Sequence, residues 1–169
     1  GEPAQISPAP QVNDGVLLGA PAPIAGKLGC RFMRQDEALL IITPADRRIS
    51  IRPGSDVLSV DDVSLQMARE AFVAGNAVIC PLVPVLEAIG ADIRWDADED
   101  TLALSTQVEA IAVFADEQGA RVQVTTPLRA EGSLHFMTDP DRAYVDLAGA
   151  TVALDHDRWY VTTGDLLRV

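Results

Sequence analysis

The sequence repeats itself, and the repeat limits what the chain can build. VLLGAPAPIAGKLGCRFMRQDEALLIIT begins at Val16, and VICPLVPVLEAIGADIRWDADEDTLALST begins at Val78. Gly29 matches Gly90, Pro23 matches Pro84, and Phe32 matches Ile93. A repeat of this length is one supersecondary unit used twice, and each copy must bury its apolar face against something.

In the second copy, Leu82, Val85, Leu86 and Ile89 fall at i, i+3, i+4 and i+7, which predicts one apolar helix face. Pro81 suits the first turn of that helix, and Gly90 suits the left-handed position that ends it. DIRW and TLALS then alternate as strands. In the first copy Ile24, Ala25 and Leu28 form a shorter apolar face before Gly29, and RFM and LLIIT flank RQDEA.

The acidic run WDADEDTL, with Asp96, Asp98, Glu99 and Asp100, has the spacing that opens an EF-hand calcium loop. It then departs twice: Thr101 stands where the sharp turn needs Gly, and the closing Glu would fall at Gln107. The first copy keeps the strand–turn–strand unit without that spacing. The run therefore predicts a hydrated hairpin tip, in which Asp satisfies local backbone donors.

Between the copies, strands are expected at 48–52, 57–60 and 63–67, separated by Pro-Gly and Asp-Asp. Val63, Leu65 and Met67 also fit a short helix; strand is preferred because Gly75-Asn76 follows and leads into AVIC. From Val108 the pattern is all strand: VEAIAVFA, ARVQVTT, SLHFM, AYVDL, TVAL and WYVTT, with turns at DEQG and DPDR. Short strands at regular spacing suggest a β-sandwich or a curled sheet. Residues 1–14, rich in Pro and Ala, read as a flexible leader, and a start without Met reads as processed or engineered. The expected class is α+β: a duplicated strand–helix–hairpin module with two short helices over 15–106, then an all-β unit over 107–169.

With 169 residues, 48% of them hydrophobic, the chain can bury the core of one medium domain or two small ones. No apolar run is long enough to cross a membrane. A net charge of −12 argues against binding nucleic acid or an anionic lipid surface, because it repels phosphate. Cys30 and Cys80 are too few for a disulfide framework. Two small buried side chains are expected, with a single disulfide as the alternative.

The segment VICPLVPVLEAIGADIRWDADEDTLALS resembles the N-terminal domain family first named from copper amine oxidases, through Leu82, Glu87, Ala88, Gly90, Ile93, Trp95 and Asp96. The resemblance implies a non-catalytic module that does not carry the copper. The first copy departs from the pattern, with Arg34 where the second has Trp95. Residues 107–169 resemble the AMIN domain through ARVQVTT and DPDRAYVDLAGA, with Pro140, Arg142, Val145, Asp146 and Leu147, although the typical domain is longer. That resemblance implies a bacterial envelope protein, ahead of an N-acetylmuramoyl-L-alanine amidase domain or within a type IV pilus secretin. It also implies an extracytoplasmic location and peptidoglycan or an envelope or divisome protein as partner.

The chemistry agrees with a binding role. A zinc amidase centre needs at least two histidines and a carboxylate. His135 alternates with Leu134 and Phe136 and is expected on a solvent face, while His156, between Asp155 and Asp157, reads as a hydrated turn. There is no Gly-x-Ser-x-Gly elbow and no phosphate loop, so no catalytic residue, metal or cofactor is assigned. Arg142 and Asp146 are expected to form an ion pair. Trp95 shares a strand face with Ile93 and is expected to be buried. The surface that could touch wall or partner is assigned to Arg142, Tyr144, Arg158, Trp159 and Tyr160. Gly29, Gly90, Trp95, Asp96, Pro140 and Asp146 are assigned structural roles. A self-contained hydrolase is the weakest reading, for want of a catalytic set.

Overall fold

A computed structural model describes residues 5–96, 98–99, 101–116, 119–139 and 142–152. Strands β1 (Gln11–Asn13) and β2 (Val16–Gly19) form a hairpin across Asp14 and Gly15. Both turn residues have positive φ, which matches a two-residue turn to the twist of its strands. Helix α1 (Pro21–Lys27) follows, then the hairpin of β3 (Arg31–Gln35) and β4 (Ala38–Ile42). Strands β5 (Arg48–Ile51), β6 (Val57–Val60) and β7 (Val63–Gln66) extend it into a five-stranded antiparallel meander ordered β3-β4-β5-β6-β7. The chain then forms the hairpin of β8 (Phe72–Ala74) and β9 (Ala77–Pro81), helix α2 (Leu82–Ala88), and the hairpin of β10 (Ala91–Asp96) and β11 (Thr101–Val108). Hairpin, helix, hairpin thus runs twice.

Three details differ from the sequence expectation. Gln11–Asn13 lie within the expected leader, yet they pair with Val16–Leu18, and Ile6 packs against the core. Pro81 ends β9, so the helix begins at Leu82. The two helix starts keep the offset that relates Gly29 to Gly90, which sets Val16 opposite Ala77 rather than Val78.

Under that offset Gly19 corresponds to Cys80, and these two residues are register partners where β2 pairs with β9 antiparallel. Equivalent strands that pair antiparallel through equivalent residues are related by a local two-fold axis, which lies at the centre of the sheet β1-β2-β9-β8. Gly19 fits closely there: a Cβ would stand 2.7 Å from Leu82 Cδ1 and would push that buried side chain aside.

The core lies between the helices and the meander. Ile24 and Ala25 of α1, and Leu82, Val85 and Leu86 of α2, pack with Ile41, Ile49, Ile51 and Leu58. Gly90 takes φ +92°, the left-handed value that closes α2, and Arg47 Nη1 donates to the Ala88 carbonyl at 3.0 Å.

A buried plug comes from beyond the repeat. Leu128 is 2% exposed within this core. Its N–H donates to Thr106 Oγ1 at 3.3 Å, and the Thr126 hydroxyl donates to its carbonyl at 2.7 Å. Its neighbours reach both helix ends: a Cβ on Gly90 would meet Pro127, and one on Gly29 would meet Arg129.

Beyond the repeat, β12 (Ala110–Asp116) pairs with β13 (Gly119–Thr125), and β14 (Glu131–Met137) pairs with β15 (Arg142–Ala148). Strand β16 (Ala150–Val152) joins β11 in parallel. Among the described residues these strands form two-stranded hairpins and one added edge rather than the expected sandwich or curled sheet. Leu134, Phe136 and Val145 are exposed in consequence. Among the described residues the molecule is mostly β with two short helices, within the α+β class.

Candidate functional site

The hairpin β14–β15 carries Arg142 and Tyr144, the two residues of the expected wall- or partner-binding surface that lie within the described residues. Its register sets His135 opposite Tyr144, Ser133 opposite Asp146 and Met137 opposite Arg142. Strand alternation therefore puts Arg142, Tyr144 and Asp146 on one face with His135, and Leu134, Phe136, Val145 and Leu147 on the other. The His135 and Tyr144 rings stack with centroids 4.9 Å apart and planes 17° from parallel. His135 Nε2 lies 3.4 Å from Asp146 Oδ2. The result is an exposed aromatic platform flanked by a guanidinium and a carboxylate. Sequence reasoning left His135 out of this group; its place follows only from the cross-strand register.

The expected Arg142–Asp146 ion pair is absent. Residues four apart on a strand share a face but stand roughly 13 Å apart at 3.3 Å per residue, too far for contact. Asp146 meets His135 instead. The expectations for Pro140, Arg158, Trp159, Tyr160 and His156 fall outside the described residues.

Trp95 is half-buried and packs against the core, as its shared face with Ile93 requires. Asp96 Oδ1 accepts from the N–H of Asp98 at 3.0 Å and of Glu99 at 3.2 Å, so this carboxylate caps a hairpin tip. Gly29 and Gly90 follow the two helices at φ +85° and +92°. The hydrogen-bonding and conformational demands of the hairpins thus account for these motif residues.

A cleft of about 300 Å³ opens beside β3, between the start of α1 and the β8–β9 turn. Ala22, Pro23, Phe32, Leu39 and Val78 line it, with Arg34 as its one charged group among the described residues. Arg34 Nη2 donates to the Asn76 carbonyl at 3.1 Å. A second, polar groove holds Arg47, Asp61, Glu87, Asp92 and Glu109. There Arg47 Nε lies 3.6 Å from Asp61 Oδ2, whose Oδ1 accepts the Arg48 N–H at 2.7 Å, so this acid is committed to the meander.

Both cysteines are buried free thiols, so the disulfide alternative does not describe this molecule. Burial raises the Cys80 thiol to about 12 and also raises Cys30, which leaves both protonated and poor nucleophiles at neutral pH. Among the described residues no group of three or more His, Cys, Asp or Glu is placed to hold a metal ion. His135, with one carboxylate beside it, does not make a copper site.

The sequence profile of the copper amine oxidase N-terminal domain matches the chain twice, over residues 1–104 and 59–149. The second match runs through both C-terminal hairpins. No curated protein and no solved structure gives a match. With the profile covering more than half of the chain, this protein belongs to the copper amine oxidase N-terminal domain family.

Proposed function

We propose that this chain is a non-catalytic peptidoglycan-binding or targeting region of a bacterial envelope protein, working outside the cytoplasm ahead of an N-acetylmuramoyl-L-alanine amidase domain. In this reading a duplicated module precedes an AMIN-type unit that carries the binding face. The observation that carries it is the exposed His135–Tyr144 stack beside Arg142. An aromatic face packs against the apolar side of a sugar ring, and a guanidinium offers paired donors to a carboxylate. Peptidoglycan presents both groups.

The test is co-sedimentation of the purified chain with isolated sacculi at low and moderate salt. Saturable binding, weakened about tenfold by Tyr144→Ala or Arg142→Ala, is the expected result, as for a residue that anchors a binding face. Trp159→Ala asks whether the chain beyond Val152 takes part. Binding that ignores all three variants would rule out this face.

A second reading draws on the other side of the same hairpin. Leu134, Phe136 and Val145 are 58%, 78% and 48% exposed. Such a surface suits a structural or protein-interaction module of an envelope assembly, for example a type IV pilus secretin. Failure to sediment with sacculi at either salt would favour it.

A further inference from the structure

The cleft beside β3 is separate from the β14–β15 face, and the repeat explains why it exists. Arg34 pairs with Leu39 across the first hairpin, and Trp95 pairs with Leu102 across the second. The offset that relates Gly29 to Gly90 makes Arg34 the counterpart of Trp95. In the second copy an indole at this place packs against the core. In the first copy the place belongs to an exposed guanidinium, and an apolar cleft is left beside it.

Three properties of the cleft converge on one kind of ligand. Strand β3 is the edge of the meander, and among the described residues no strand pairs with its outer side. Its backbone donors and acceptors can therefore accept an added extended chain. The cleft walls are apolar, with Phe32 on the same strand face as Arg34 and 49% exposed. Among the described residues Arg34 has no carboxylate partner, unlike Arg31, which lies 3.5 Å from Asp46. Its bond to the Asn76 carbonyl engages one of the five donors a guanidinium carries.

We propose that β3 and this cleft bind the C-terminal end of an extended peptide: the peptide adds to the edge of β3, its last side chain, apolar, enters the cleft, and its terminal carboxylate pairs with Arg34. Edge addition supplies backbone hydrogen bonds, the cleft supplies selectivity for the last residue, and Arg34 offers a bidentate pair to the terminal carboxylate beside it. The site rests on the cleft and stands whether or not the chain sediments with sacculi.

Fluorescence anisotropy with the full chain tests it, using labelled Ser-Thr-Val-Ala-Val and Ser-Thr-Val-Ala-Phe peptides, each as free acid and as C-terminal amide. At least one free acid binds saturably, and its amide binds about tenfold more weakly, as expected for loss of a charge-assisted pair. Arg34→Gln, which keeps the cleft, brings the acid down to the level of the amide. Arg34→Trp, which installs the residue of the second copy, abolishes binding, while its thermal midpoint stays at or above that of the parent. Equal binding of acid and amide, full binding by Arg34→Trp, or no binding of any of the four peptides would overturn the proposal.

Discussion

Cys80 sits on the local axis with no exposed surface, and burial alone raises its thiol to about 12 from an ordinary value of 9.0. The folded protein therefore holds a proton that the unfolded chain releases near pH 9. A group whose folded pKa is raised contributes its full share of stability below the unfolded value, and that share fades as pH climbs toward the folded one. Urea midpoints are thus expected to fall between about pH 9 and 12. Cys80→Ala should flatten that slope relative to the parent, because lysine and tyrosine titrate in both proteins. A slope of the same size in both would mean that Cys80 is not its source. The same proton keeps the thiol inert, so its value to the molecule lies in packing.

At the scale of elements, the helices and central strands were legible because their periods are local. Leu82, Val85, Leu86 and Ile89 are all buried, as their spacing required, and β5 to β7 lie within a residue of their expected bounds. Turn chemistry was only partly legible. The β3–β4 turn uses Asp36 and Glu37 at φ 48° and 67°, where Gly is favoured at the second place. A side chain in the left-handed region costs about 1–2 kcal/mol, part of which Gly gives back as chain entropy. Glu37→Gly is thus expected to stabilise the protein by about 0.5–1 kcal/mol, read as a higher urea midpoint at unchanged slope. A lower midpoint would show that the Glu37 side chain makes a contact worth more than the strain. What alternation could not convey is coverage. The Leu134 pattern says which side chains share a face, and it is silent on whether a second sheet lies over them. The expected sandwich is not seen among the described residues, and Arg142 does not pair with Asp146 because residues four apart on a strand share a face without touching.

Across the whole molecule, the long-range parts were hidden from the sequence. Nothing in LRAEG marks Leu128 as a core residue, and nothing local says that β2 meets β9. Both depend on where distant segments end up. Leu128 lies between the two C-terminal hairpins and ties that segment to the core of the repeat, since Thr106 on β11 holds its N–H. Leu128→Ala is expected to cost about 2–5 kcal/mol, the range for truncating a buried leucine. Urea unfolding followed by far-UV circular dichroism reads this, and a loss below about 1 kcal/mol would mean that the plug is not part of the cooperative core.

The local axis between Gly19 and Cys80 also bears on how such a molecule diverges. A gene for one copy alone would encode a chain whose second β-strand lies open, and its natural complement would be a twin of itself. Such a twin pair is bound to be alike on both sides, carrying two tryptophans or two arginines. Fusion into one polypeptide lifts that constraint. It lets one half keep an indole as filler while the other gives the same place to Arg34, so a structure built from two like parts can present a single, one-sided opening.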